Sequence, residues 1–465
     1  MTKRMSFTTG VWYAIASACT LACVAASVEP TRDVEERLMA RRGSSVDPAV
    51  VAASASGEAR LQPPATGYAP QLRLGYTAGD QWEPSIATDR FGHVYVLYPQ
   101  YLGVPGCPSC PSPTMTLQVS SDRGATWGTP RQIAAPGTGQ WDAQIVVDPI
   151  DGRTVYASWL QDSKSDTVVA RSIDFGATWQ VTVADHTNAG TDKPILVAHG
   201  ADVYVVFNHS QKIYAASSHD FGATFTQSQI NSNAKLGWAL SGGGTITPNG
   251  HVHFGWAGYE QNGGAKGRVN LFVSSSTDFG ATWTNRPLAT SGAPPDCSAL
   301  LCGWAYLGAQ LVITSDSAGR LYALWNANSV DRAPNRIYFA TSTDDALTWS
   351  APVEMSTAPA GTPHGFPAIA AGDSGDVRIA WMDARAGGAW NTFVRRSTDG
   401  GASWSATSDV STFVPGFSYI QSTGFTFPFG DYFEMTIDDV GATHLVWGEG
   451  LNYDGPGSIW YSRGQ

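Results

Sequence analysis

Short runs in which apolar side chains alternate with polar or small ones recur along most of this chain. Val269-Asn-Leu-Phe-Val273 and Arg336-Ile-Tyr-Phe-Ala340 are examples, and Val94-Tyr-Val-Leu-Tyr98, Val377-Arg-Ile-Ala-Trp381 and Ser458-Ile-Trp-Tyr-Ser462 are further short apolar-rich runs. A period of two over about five residues predicts β-strands that present one face to a core. Between the runs stand clusters of Asp and Gly, at 89–92, 148–152, 316–319, 373–376 and 438–441. These are turn formers, because Asp bonds its own local backbone and Gly accepts positive φ. The pattern therefore predicts antiparallel strands joined by tight turns.

One turn is repeated six times as Ser-x-Asp-x-Gly-x-Thr-Trp. The copies run from Ser120 to Trp127, Ser172 to Trp179, Ser218 to Phe225, Ser276 to Trp283, Ser342 to Trp349 and Ser397 to Trp404. Three depart by one residue each, with Phe225 for Trp, Ala346 for Gly and Ser403 for Thr. Their aspartates, Asp122, Asp174, Asp220, Asp278, Asp344 and Asp399, are spaced by 52, 46, 58, 66 and 55 residues. A repeat at this period means units that bury their apolar faces against one another. Within each copy the carboxylate is expected to accept backbone N–H groups, the Gly to supply an unusual backbone angle, and the Trp to pack between neighbouring sheets.

This motif resembles the Asp box, or bacterial neuraminidase repeat, of the sialidase-like β-propellers, over roughly residues 70–465. The resemblance implies an all-β propeller of four-stranded antiparallel blades. Seven inner-strand entries are countable, at Trp82-Glu-Pro84, Trp141-Asp142, Asp192-Lys-Pro194, Gly237-Trp238, Gly303-Trp-Ala305, His364-Gly-Phe-Pro367 and Gly430-Asp-Tyr432. The seventh unit stops after its third strand, so Gln71–Tyr76 is expected to supply the missing outer strand and close the ring. Seven blades are thus expected, against the six of a typical sialidase, which stays the alternative. Asp boxes build blades in propellers of unrelated activity, so the motif specifies a fold and not a reaction.

Composition changes the picture in three ways. The 50 Gly, 17 Trp and 14% charged residues among 465 suit a turn-rich β protein, with length enough for one large domain. The net charge of −11, with no basic cluster, argues against nucleic acid and anionic membrane as partners, and a monomer is expected. Residues 1–26 read as a signal peptide, since Lys3 and Arg4 precede an apolar stretch that ends in Val24-Ala-Ala26. Its removal takes the net charge to −13 and implies an extracellular or periplasmic protein. The stretch is short and diluted for a membrane span, and Thr20-Leu-Ala-Cys23 is a poor lipidation signal, which leaves a lipid-anchored surface protein as the lesser alternative. Residues 27–69 read as a flexible leader. In an exported chain Cys107/Cys110 and Cys297/Cys302 read as two local disulfides, with zinc binding by both pairs the lesser alternative.

The working face of such a fold lies where inner strands begin and second strands end. The resemblance implies the sialidase apparatus there: three arginines on a substrate carboxylate, a Tyr nucleophile with a Glu partner, and an Asp acid/base. The candidates are Tyr432 with Glu434, two apart and on one side of a strand, and Asp142. Substrate contacts are expected from Arg385, Asp383, Arg268, Arg336, Glu83, Asp431, Trp82 and Trp141, with sugar stacking as the aromatic role. The family's early Phe/Tyr-Arg-Ile-Pro motif is replaced by Trp82-Glu83-Pro84-Ser85-Ile86, which puts an acid where an arginine would meet the substrate carboxylate. Asp383 and Arg385 have a plain alternative, a local brace. His251-Val-His253 lacks a third ligand, so no metal site is expected there and the imidazoles are assigned to a solvent-facing strand side. No cofactor is expected, although Asp-rich turns suit structural calcium. The function expected is carbohydrate recognition at the channel mouth, either by a sialidase-type exo-acting glycoside hydrolase or by a non-catalytic glycan- or protein-binding propeller.

Overall fold

The computed structural model describes residues 60–61, 64–76, 80–81, 83–101, 103–133, 138–187, 190–209, 211–231, 236–261, 266–295, 307–386, 389–411, 413–414, 432–450 and 457–464. The signal-peptide assignment, most of the leader, Trp82, Cys297, Cys302 and Asp431 lie outside them. Regular structure among the described residues is all strand, arranged as seven antiparallel sheets around a channel, with one further two-stranded pair. Among those residues no helix is long and apolar enough to cross a membrane.

Six blades follow the chain from inside outwards, as the order Gln140–Val147, Val155–Gln161, Asp166–Ser172 and Gln180–His186 shows for blade two. In blade one the inner strand Ser85–Thr88 and the short Asp80–Gln81 both pair with Val94–Tyr101. Blade seven is built from both ends of the described chain. Its strands Glu434–Ile437, Thr443–Gly450 and Gly457–Gly464 are completed by Leu72–Leu74, which pairs antiparallel with the last of them. The expected closing strand is therefore in place. Leu74 is 2% exposed among Ile86, Val96, Val446 and Ile459, so closure buries apolar area as well as completing a ladder.

The core is a set of layers between blades. Trp159, Trp256, Trp325, Trp381 and Trp447, all on second strands, are among the largest fully buried side chains. They pack in layers between blades, as Trp159 does with Leu117 on the third strand of blade one and Ile145 on the inner strand of its own blade. The Asp-box aromatics pack onto the preceding blade, Trp127 against Tyr461 at 4.8 Å between ring centres and Trp404 against Phe339 at 4.9 Å.

All six Asp boxes share one geometry. In the first, Thr126 donates its N–H to Asp122 Oδ1 at 2.7 Å and its hydroxyl to Oδ2 at 2.6 Å. Ser120 donates its hydroxyl to Oδ1 at 2.8 Å and accepts the N–H of Gly124 at 2.8 Å. The residue after the Asp and the Gly that follows are both left-handed, with φ of 56° at Arg123 and 80° at Gly124. This is the turn that only Gly adopts cheaply at the second position, and Ala346 adopts it at φ 60°. Donors around each aspartate hold its carboxyl low, with Asp174, Asp220 and Asp399 at about 2, the Thr or Ser hydroxyl being the largest cause.

Candidate channel-mouth site

Four inner strands begin with a bulge that places a bulky residue in the left-handed region. These residues are Glu83 (φ 54°), Asp142 (φ 58°), Lys193 (φ 49°) and Phe366 (φ 55°), in blades one, two, three and six. The ladder register shifts at the last three. Pro follows at 84, 194 and 367, and its fixed ring suits a strand that resumes after a break in the ladder. A bulge re-aims a side chain that regular pleating would point along the blade. Left-handed backbone at bulky residues costs free energy, and these four strand entries carry it at the end opposite the Asp boxes, whose own turns are left-handed too.

Two of these residues meet at one charge cluster. Lys164, from the loop after the second strand of blade two, lies 3.6 Å from Asp142 Oδ2 and 3.4 Å from Asp192 Oδ1. The N–H of Lys193 approaches Asp142 Oδ2 at 3.4 Å. Burial alone lowers the Lys164 amine, but Asp142, Asp192 and Glu83 outweigh it and hold the amine above its ordinary value. Glu83 is 1% exposed and Asp142 is 6% exposed. Lys193 crosses to the far side of the ring, its ammonium 4.6 Å from the centre of the Tyr432 ring in blade seven. Lys193 and Tyr432 both line a cavity of about 1040 Å³ in the channel, whose wall continues to the inner turns of the opposite face.

Glu434 stands in that channel wall below Tyr432. Its Oε2 accepts the Ser85 hydroxyl at 2.5 Å and the Ile86 N–H at 3.2 Å, and its Oε1 accepts Gln144 Nε2. Burial pushes its carboxyl up to about 7 against the pull of those three donors. Its described partners thus belong to blades one and two.

The arginines lie elsewhere, each beside an acid. Arg268 faces Asp331 at 3.1 Å on the surface, and Arg336 faces Glu354 at 2.7 Å and the carbonyls of Ala358 and Pro359. Arg385 grips Asp383 with Nε and Nη2, at 2.8 and 2.6 Å, and its guanidinium lies over the Phe393 ring. Asp383 also accepts the Trp381 indole N–H at 2.9 Å, and His364 Nε2 lies 3.6 Å away. This is the brace weighed for the pair from sequence. Trp141 is half-buried at its strand entry.

The His251/His253 reading needs correction. His253 is fully buried, with Nδ1 against Ser275 Oγ at 2.8 Å, because that side of the strand meets blade five and not solvent. His251 Nδ1 lies 3.0 Å from Asp345 Oδ2. Among the described residues no group of three or more His, Cys, Asp or Glu is placed to hold a metal ion. Cys107 and Cys110 form a disulfide.

Sequence reading missed Lys164. Its Asp162-Ser-Lys-Ser-Asp context looks like any polar turn, and only the fold brings it to Asp142.

The BNR repeat-like domain family matches residues 78–299. A xyloglucanase from a Paenibacillus species is 24% identical over 290 residues, which is 56% of this chain and 26% of that protein, so the match spans about a quarter of the relative. Among solved structures, a Hadza microbial sialidase superposes with a TM-score of 0.45 at 15% identity, covering 82% of this chain and 65% of that one. An ulvan lyase superposes with a TM-score of 0.49 at 11% identity, covering 83% and 95%.

Proposed function

We propose that this chain, a sialidase-like β-propeller of BNR repeats, is an exported carbohydrate-active protein that acts at its channel mouth as a glycoside hydrolase on an uncharged sugar. The observation that carries the reading is the presence of two carboxylates, Glu83 and Asp142, at matching bulges of adjacent blades beside one lysine. Most glycosidases use two carboxyl groups, one protonated to assist the leaving group and one ionised as nucleophile or base. Asp142, against the Lys164 ammonium, suits the ionised role. Glu83, nearly buried, suits the protonated one. An uncharged substrate fits the electrostatics, since both mouth lysines lie among acids or on Tyr432 and the three candidate arginines are committed to Asp331, Glu354 and Asp383. The xyloglucanase relative acts, by its name, on such a polymer, which supports the same class here.

The test is reducing-end release by the purified chain from xyloglucan and other neutral glycans, beside a fluorogenic sialoside. Turnover of a neutral glycan that falls about 10²-fold or more in Glu83→Gln and in Asp142→Asn is the expected result. Turnover of the sialoside alone overturns the uncharged-substrate assignment, and unchanged variants overturn the site. A second reading, a glycan-binding propeller without turnover, is favoured by the ties of Asp142 to Lys164 and to the Lys193 N–H. Saturable glycan binding with no product would establish it.

A further inference from the structure

The loop that carries Lys164 has an unusual backbone. Asp162, Ser163 and Lys164 are three consecutive left-handed residues, with φ of 55°, 60° and 64°. None is glycine, and left-handed L-residues normally occur singly. Such a run persists only where its surroundings hold it. Here they do so through backbone bonds on both sides. Asp162 donates its N–H to Thr138 Oγ1 at 2.8 Å. Ser165 O accepts the N–H of Thr187 and Lys164 O accepts that of Thr191, both at 2.8 Å. The loop is thus sewn to the chain entering blade two and to the chain entering blade three. Its only long side chain reaches back between Asp142 and Asp192.

We propose that Lys164 is the positioning residue of the mouth, fixing the place and the ionisation of Asp142. The inference rests on the Glu83/Asp142 reading but is separable from it. The charged and titratable groups at this cluster come from three blades: Lys164 from the same blade as Asp142, Asp192 and Lys193 from blade three, and Glu83 and Tyr101 from blade one, both of which act on Lys164. Acids so near favour the protonated form of Asp142, and Lys164, 3.6 Å from its Oδ2, is a counter-ion that opposes them. The strained loop spares this counter-ion the entropy of finding its place in each molecule.

The test titrates Asp142 by ¹³C-carboxyl NMR in the full chain, with the resonance assigned through Asp142→Asn. In Lys164→Met the Asp142 midpoint should rise by about one pH unit or more, and Lys164→Arg should restore most of it. In parallel, the acid limb of the turnover profile on a neutral glycan should move up in Lys164→Met by the same amount. An unmoved midpoint in a folded Lys164→Met, or in Lys164→Gln if the first variant fails to fold, overturns the proposal. Absence of turnover in the parent chain defeats the hydrolase reading alone, because the titration still decides the role of Lys164.

Discussion

Ser85 donates its hydroxyl to Glu434 Oε2 at 2.5 Å while accepting the Ile145 N–H at 2.9 Å, so one serine links blades seven, one and two at the seam where the ring closes. The same carboxylate takes Ile86 N–H and Gln144 Nε2, which makes Glu434 a clasp across three blades.

A clasp of this kind has a pH signature. The carboxyl of Glu434 is raised from 4.5 to about 7 by burial, so the folded protein holds its proton more tightly than the unfolded chain. Stability is then full below about 4.5, falls as pH rises towards 7, and is level above that. The loss is on the order of 3 kcal/mol across that window. Denaturation midpoints measured at pH 5 and pH 8 should differ in the parent chain and converge in Glu434→Gln.

The Asp boxes carry the opposite sign. Their carboxyls are depressed, so their contribution is complete above about 4 and disappears as pH falls towards about 2. Acid unfolding followed by tryptophan fluorescence should fall in that range. A double Asp174→Asn, Asp399→Asn variant should show a shallower acid transition.

At the fifth box, Ala346 occupies a left-handed position with φ 60° that Gly fills in four of the other copies and Gly401 in the last. Ala346→Gly should stabilise the protein by about 0.5–1 kcal/mol, because removing the Cβ relieves the backbone clash. Chemical denaturation checks this, and a loss of stability would show that the methyl contributes more by packing than its conformation costs.

Across the channel, the Lys193 ammonium over the Tyr432 ring predicts a graded response. Tyr432→Leu should cost about 1–2 kcal/mol and Tyr432→Phe well under 1, since the ring face carries the attraction. If Tyr432 acts on substrate through its hydroxyl, Tyr432→Phe abolishes turnover while leaving stability near the parent value.

Blade seven itself is open to test at Leu74, which is 2% exposed. Leu74→Ala should cost about 2–4 kcal/mol, a core-sized penalty for a residue on a three-residue outer strand. A surface-sized effect would mean that the ring stays closed without this strand.

Much of the fold was legible because its cause is local. An Asp box is a self-contained turn, so six copies of Ser-x-Asp-x-Gly-x-Thr-Trp announce six third-to-fourth-strand hairpins whatever surrounds them. The closing strand was legible by subtraction, since a blade ending at Ser458–Ser462 has an unfilled edge. The mouth was only partly legible. Asp142 and Glu83 stood at countable strand entries, but the bulges that turn them follow from tertiary register and not from residue type. Arg385 drew attention as a guanidinium suited to a substrate carboxylate, and the acid it grips is Asp383, two residues away, in the local brace that was the plain alternative. Lys164 carried no signal at all, because its meaning comes from a loop conformation that Thr138, Thr187 and Thr191 impose from other parts of the chain.

The closing strand also sets an order of events in the life of the molecule. Ala69 O accepts the Ser462 hydroxyl across 393 residues of sequence. During synthesis the segment before blade one leaves the ribosome long before its partner strand exists, and six blades accumulate as an open arc with two raw edges. The seventh blade is then both the last blade made and the piece that makes the arc a ring. A nascent or prematurely terminated chain presents pairing edges to its neighbours until that moment, so the hazard of self-association is concentrated in the interval before the two ends meet.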